Sequence, residues 1–168
     1  MHHPDVQRVL AATFLADRDE ADLDTLYERR EELHRVESQV SFVRRLAQGR
    51  IEILCAELER RDRGGDPADL ADLICHLPDV LGAGDSVPST RRMEDVEPSD
   101  SFVAQLDTVV GPSTFLCLPD MTAAEIDAQV LALEEYERMV SGARRRLHER
   151  IDVLQCEIAR RFRATPSV

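Results

Sequence analysis

The sequence predicts an all-α fold, a long antiparallel two-helix coiled-coil hairpin with short helices at its N-terminus and in its connector. Two stretches of about forty residues space their apolar residues by threes and fours over many turns, the mark of a helical seam. Those stretches share one polar motif, "ESQVSFVRR" in the first and "ERMVSGARR" in the second. The chain of 168 residues has no Trp and only 4% aromatics, so its core must be aliphatic.

Taken in order, residues 1–18 form an N-terminal segment in which "PDVQRVLAATFLAD" is compatible with a short helix. The first arm covers 19–63, with Asp19 expected as N-cap and Asp22 three positions on, and "GG" ending it after Arg63. Its seam is Leu33, Val36, Val40, Val43, Ala47, Ile51, Leu54 and Leu58. Residues 64–122 make an acidic connector. There Asp66 and Pro67 open a short amphipathic helix carrying Leu70, Leu73, Ile74 and Leu77 on one face, and "GAGDSVPSTRRMEDVEPSD" reads as disordered loop. "SFVAQLDTVVG" is compatible with another short helix. The second arm covers 123–163, with Thr122 and Glu125 as a capping box and a seam of Ile126, Val130, Leu133, Val140, Ala143, Leu147, Ile151, Leu154 and Ile158. Residues 164–168 are a tail. Neither arm can bury its stripe alone, so the two are expected to pair within one chain, as a monomer.

Charge and composition exclude several classes of function. The net charge is −12, and the stretch from Gly64 to Thr122 holds 11 acidic residues against Arg91 and Arg92. That balance disfavours direct binding to nucleic acid, which needs cations for its phosphates. An acidic connector suits a basic protein partner better. No apolar run approaches the ~18 residues that span a bilayer, and "MHHPDVQRVL" has no signal-peptide pattern, so a cytoplasmic protein is expected. The four cysteines, Cys55, Cys75, Cys117 and Cys156, include no Cys-x-x-Cys pair and are expected to be isolated buried thiols. His2, His3, His34, His76 and His148 are scattered, and no Gly-rich nucleotide loop appears. Catalysis and a metal site are therefore not expected.

The repeat carries the functional signal. Aligning 37–61 with 137–161 at an offset of 100 gives 11 identities in 25 positions, among them Glu37/Glu137, Ser41/Ser141, Arg44/Arg144, Arg50/Arg150 and Leu54/Leu154. Upstream, "LADRDEADLD" matches "LPDMTAAEID" at an offset of 103, so the arms read as an internal duplication with a three-residue shift. At 100° per residue, Ser41, Arg44, Gln48 and Glu52 fall within about 60° of Glu37, on one stripe bordering the seam. Glu137, Ser141, Arg144, His148 and Asp152 repeat it. Superposing the two motifs in an antiparallel pair places Glu37 beside Asp152, Ser41 beside His148, Gln48 beside Ser141 and Glu52 beside Glu137, in one pseudo-two-fold polar groove.

A solvated flank has no reason to keep Ser and Arg at fixed positions, or to bring four carboxylates together against their repulsion. A ligand with matching donors relieves that cost. An Arg fork suits phosphate oxygens or the O6/N7 edge of guanine, and a carboxylate suits guanine N1–H and N2–H₂. A phosphorylated guanine nucleotide with two-fold symmetry fits this set.

The pattern Glu-x3-Ser-x2-Arg-x3-Gln-x3-Asp, once on each of two antiparallel helices, resembles RsiG-type anti-sigma factors of actinobacteria. The resemblance covers both arms. It implies binding of cyclic di-GMP as an intercalated dimer, two molecules acting as regulatory ligand, and sequestration of WhiG, a flagellar-type sigma factor controlling sporulation. Carried over residue by residue, the ligand set is Glu37, Ser41, Arg44, Gln48 and Glu52 with Glu137, Ser141, Arg144, His148 and Asp152. Glu52 departs from the family's Asp and keeps the paired acceptors. His148 departs from its Gln and keeps a hydrogen-bonding side chain at that position. The competing expectation is a ligand-independent coiled-coil adaptor or scaffold, for which the seam alone would suffice.

Overall fold

The computed structural model describes residues 3–65 and 100–164. Its described elements are all helical: α1 (Pro4–Leu10), a 3₁₀ turn (Ala12–Leu15), α2 (Leu23–Asp62), α3 (Asp100–Asp107), α4 (Pro112–Leu116), a 3₁₀ turn (Leu118–Asp120) and α5 (Ala123–Ala164). The helix expected at Leu70–Leu77 and the acidic loop after it lie outside the described residues.

The two long helices are the expected arms, and their starts are set by side-chain caps. In α5 the Thr122 hydroxyl accepts from the Glu125 amide at 3.3 Å while the Glu125 carboxylate accepts from the Thr122 amide at 2.7 Å, a closed capping box. In α2 the cap is Asp22, whose Oδ1 accepts from the Thr25 amide at 2.8 Å. Asp19, the expected cap, lies in the preceding turn. Two aspartates three residues apart satisfy the same sequence rule, and only the second is followed by helical backbone. The caps thus sit at Asp22 and Thr122, so the duplication keeps its offset of 100 back to the helix starts. The upstream match at 103 reflects similar small and acidic letters rather than equivalent backbone. At its far end α2 stops where Gly64 adopts φ 80° and its amide returns to the Arg61 carbonyl, a left-handed termination that glycine accepts without strain.

The chain divides into two compact units, one of residues 1–42 with 139–168 and one of residues 43–138, and both arms contribute to each. In the first unit Leu26, Leu33, Val36 and Val40 are buried with Val140, Ala143, Leu147, Ile151, Leu154 and Ile158. In the second, Val43, Ala47 and Leu54 are buried with Ile126, Leu133 and Tyr136. The arms run antiparallel in each. In the first unit Glu37 meets Arg144, and Arg161 meets the backbone just before α2. In the second, Arg44 meets Glu137, and Arg61 meets the backbone just before α5. Ile51, Leu58 and Val130 are only half-buried seam positions.

Short helices pack beside the arms within each unit. α1 buries Val6 and Val9 and is tied to α2 by Arg8 and Glu32 at 2.5 Å. α3 buries Phe102 and Leu106. Both were legible as short helices. Cys55 is half-buried, but Cys117 and Cys156 are exposed, which corrects the expectation of buried thiols; Cys75 lies outside the described residues.

Leu133, fully buried in the seam, has no polar atom to satisfy, so Leu133→Ala should cost about 2–5 kcal/mol in urea unfolding. Asp22→Ala, which removes one cap, should cost only about 1 kcal/mol.

Candidate ligand site: two copies of one polar cluster

The motif residues form one cluster in each unit. In the first unit Glu37 Oε1 is the hub. It accepts from Ser41 Oγ at 2.6 Å and Arg144 Nε at 3.0 Å, and lies 3.0 Å from His148 Nε2. Arg144 Nε also donates to Ser41 Oγ at 2.9 Å. In the second unit Glu137 Oε1 takes the same role, 3.5 Å from Arg44 Nη1 and 3.4 Å from Gln48 Nε2. The duplication therefore reproduces side-chain geometry as well as letters: a glutamate on one arm meets, on the other arm, an arginine and the residue four positions after it.

The register differs from the expected one. His148, not Asp152, stands beside Glu37, and Gln48, not Glu52, stands against Glu137. Superposing motif centres lets like positions face one another. The structure instead slides the arms by about one turn, so that opposite charges meet across the seam. Asp152 is exposed on α5 and Ser141 is half-buried. Glu52 is exposed on α2, where it lines a cavity of about 490 Å³ in the second unit with Gln48, Ile51 and Glu137. Glu134 and Arg138 complete that lining and were not anticipated. Arg138 follows Glu137 directly, and its counterpart after Glu37 is Ser38, so the repeat gave no signal for it.

The clusters differ in tightness. Burial pushes the Glu37 carboxyl up, but hydrogen bonds from Ser41 and Arg144, with the charges of His148 and Arg144, outweigh it and hold it below the ordinary carboxylate value. The contacts that Arg44 and Gln48 make with Glu137 are long, and Arg44 Nε is buried with no acceptor among the described residues. A buried guanidinium N–H without an acceptor is costly, and it is a donor poised for an added one.

A second set of duplicated contacts fixes the arms. Arg61 donates to the carbonyls of Met121 and, at 2.7 Å, Leu118; Arg161 donates to those of Ala21 and, at 2.7 Å, Arg18. Glu57 and Glu157 each accept from the two arginines that follow by three and four residues, which aims those guanidinium groups. These residues are identical between the copies, and that identity was the available signal for them.

The two antiparallel arms thus carry one polar cluster twice, once in each unit. Among the described residues no group of His, Cys, Asp and Glu could hold a metal ion, and no helix is long and apolar enough to cross a membrane. The chain belongs to the RsiG-like family, whose model matches residues 12–81 and 117–168. That is a family of regulatory anti-sigma factors, not of enzymes. No curated protein matches the chain.

The Glu37, Glu57 and Glu157 carboxyls are all held below their ordinary value. Hydrogen bonds from Arg160 and Arg161 bring Glu157 to about 2. A depressed acid stabilises the fold above its ordinary value, 4.5, and that stabilisation is lost as pH falls through the folded value. Carbon-detected NMR titration should find Glu37 and Glu157 ionised below pH 4.5, with thermal stability falling over the same acid range. Titration of both at their ordinary value would contradict the assigned contacts.

Proposed function

We propose that the protein is an anti-sigma factor whose duplicated clusters bind cyclic di-GMP, two molecules per chain, and that the nucleotide acts as co-inhibitor in sequestering a WhiG-type sigma factor in the cytoplasm. The observation that carries this reading is the pairing of Glu37 with Arg144 and of Glu137 with Arg44 in equivalent clusters. Each offers a carboxylate for guanine N1–H and N2–H₂ and a guanidinium for phosphate or the guanine O6/N7 edge. Two equivalent clusters suit two copies of a ligand that is itself two-fold symmetric. Membership in an anti-sigma family supplies the class of protein partner.

These groups contact one another across the arms, so the ligand must replace the Glu37–Arg144 and Glu137–Arg44 contacts with its own. The looser contacts at Glu137 and the acceptor-less Arg44 Nε make the second unit's cluster the easier to open. A bound nucleotide would then order both arms in one register, which lowers the ordering cost of docking the sigma factor. By linkage the sigma factor must tighten nucleotide binding by the same factor. The same self-pairing favours the rival reading, an adaptor in which the clusters only lock the arms.

Calorimetry separates the two. Cyclic di-GMP should bind the wild-type protein, and Arg44→Ala or Arg144→Ala should weaken binding about ten- to a hundredfold, as for a charge-assisted contact of about 1.5–3 kcal/mol. Sigma-factor capture should increase with nucleotide present. Undiminished binding in both arginine variants rejects the clusters as the site, and equal capture with and without nucleotide rejects the switch.

A further inference from the structure

Arg50 and Arg150 are the same residue in the two copies, yet their surroundings differ by one charge. Arg50 donates to the Val110 carbonyl at 2.5 Å and to Asp107 Oδ1 at 2.6 Å. Arg150 donates to the carbonyls of Leu10 at 2.8 Å and Ala11 at 2.9 Å, Leu10 being the counterpart of Val110. The counterpart of Asp107 is the neutral Gln7. Among the described residues no carboxylate pairs with Arg150, and burial alone lowers its pKa. A half-buried guanidinium hydrogen-bonded only to carbonyls lacks the carboxylate partner that its copy has.

That cation lines a cavity of about 320 Å³ in the first unit, with Arg18, Asp19, Leu15 and Val153. Arg18 lies 3.5 Å from Asp19, an exposed pair that water screens and that leaves Arg18 able to turn inward. Leu15 and Val153, the latter 41% exposed, give the cavity an apolar wall. We propose that this cavity is a carboxylate-binding subsite in which Arg150, assisted by Arg18, receives an Asp or Glu side chain of a protein partner. The wall fits the aliphatic stem, the guanidinium groups fit the head, and the bound group reproduces what Asp107 supplies internally to Arg50. Asp19 in the same lining repels any anion, and a phosphate is the poorer occupant because its larger charge is repelled more than a carboxylate's. The cavity is also small for a cyclic dinucleotide. Arg150 lies about 120° around α5 from Arg144, so the subsite stands apart from the nucleotide reading.

The test is an NMR titration of the arginine Nε–Hε signals of the full chain with sodium acetate, against sodium chloride at matched ionic strength and against inorganic phosphate. Gln7→Asp installs the missing carboxylate while keeping Arg150 and its two backbone contacts. Acetate should shift the Arg150 signal saturably in the wild-type protein and at least severalfold less in Gln7→Asp, with Arg50 unmoved in both. A response no larger than chloride's, or one equal in the two proteins, overturns the subsite. Tighter binding of phosphate than of acetate overturns the carboxylate assignment.

Discussion

A helix of forty residues with one aliphatic stripe cannot keep that stripe in water, and the organisation of this chain follows from giving each such helix an antiparallel mate. Leu33 and Leu133, Val40 and Val140, and Leu54 and Leu154 are all fully buried, so the duplication extends to the seam. At ~25 cal/mol per Å² of apolar surface, burial of this kind is the dominant favourable term, and it needs no aromatic residues. It also dictates where chemistry can sit. Polar residues bordering the seam are carried to the facing arm at fixed heights, which is how Glu37 reaches Arg144 and Glu137 reaches Arg44.

An aliphatic seam is slippery, because Leu, Ile, Val and Ala tolerate displacement by a turn. The duplicated arginines counter this. Arg61 and Arg161 each grip the backbone that leads into the opposite arm, and Arg50 and Arg150 each grip the carbonyl end of a short helix. Backbone carbonyls cannot move without the chain, so these contacts select register where the seam does not. The cost is four guanidinium groups taken partly out of water. Glu57 and Glu157 offset it for Arg61 and Arg161, and Asp107 offsets it for Arg50.

Much of this was legible in the sequence, for reasons that also explain the misses. Periodicity found the arms, because the spacing of buried residues is imposed by the helix itself. The capping box at Thr122 is legible because Glu125 completes it; Asp19 and Asp22 are not separable, because nothing local distinguishes two aspartates on a polar turn. Repetition marks the motif stripes but leaves their facing partners uncertain by one turn, since letters do not say whether like or opposite charges meet. Arg50, Arg61, Arg150 and Arg161 were visible as identities. Their targets, backbone carbonyls, have no letter in a sequence.

We propose that two equivalent glutamate–arginine clusters in one chain receive two molecules of one two-fold ligand. Native mass spectrometry of the full chain with cyclic di-GMP tests it most directly, because it counts chains and nucleotides in the same particle. The account predicts one chain carrying two nucleotides, with both lost from a Glu37→Gln/Glu137→Gln double variant. A chain that stays unliganded at saturating nucleotide, or a double variant that still carries two, would contradict it.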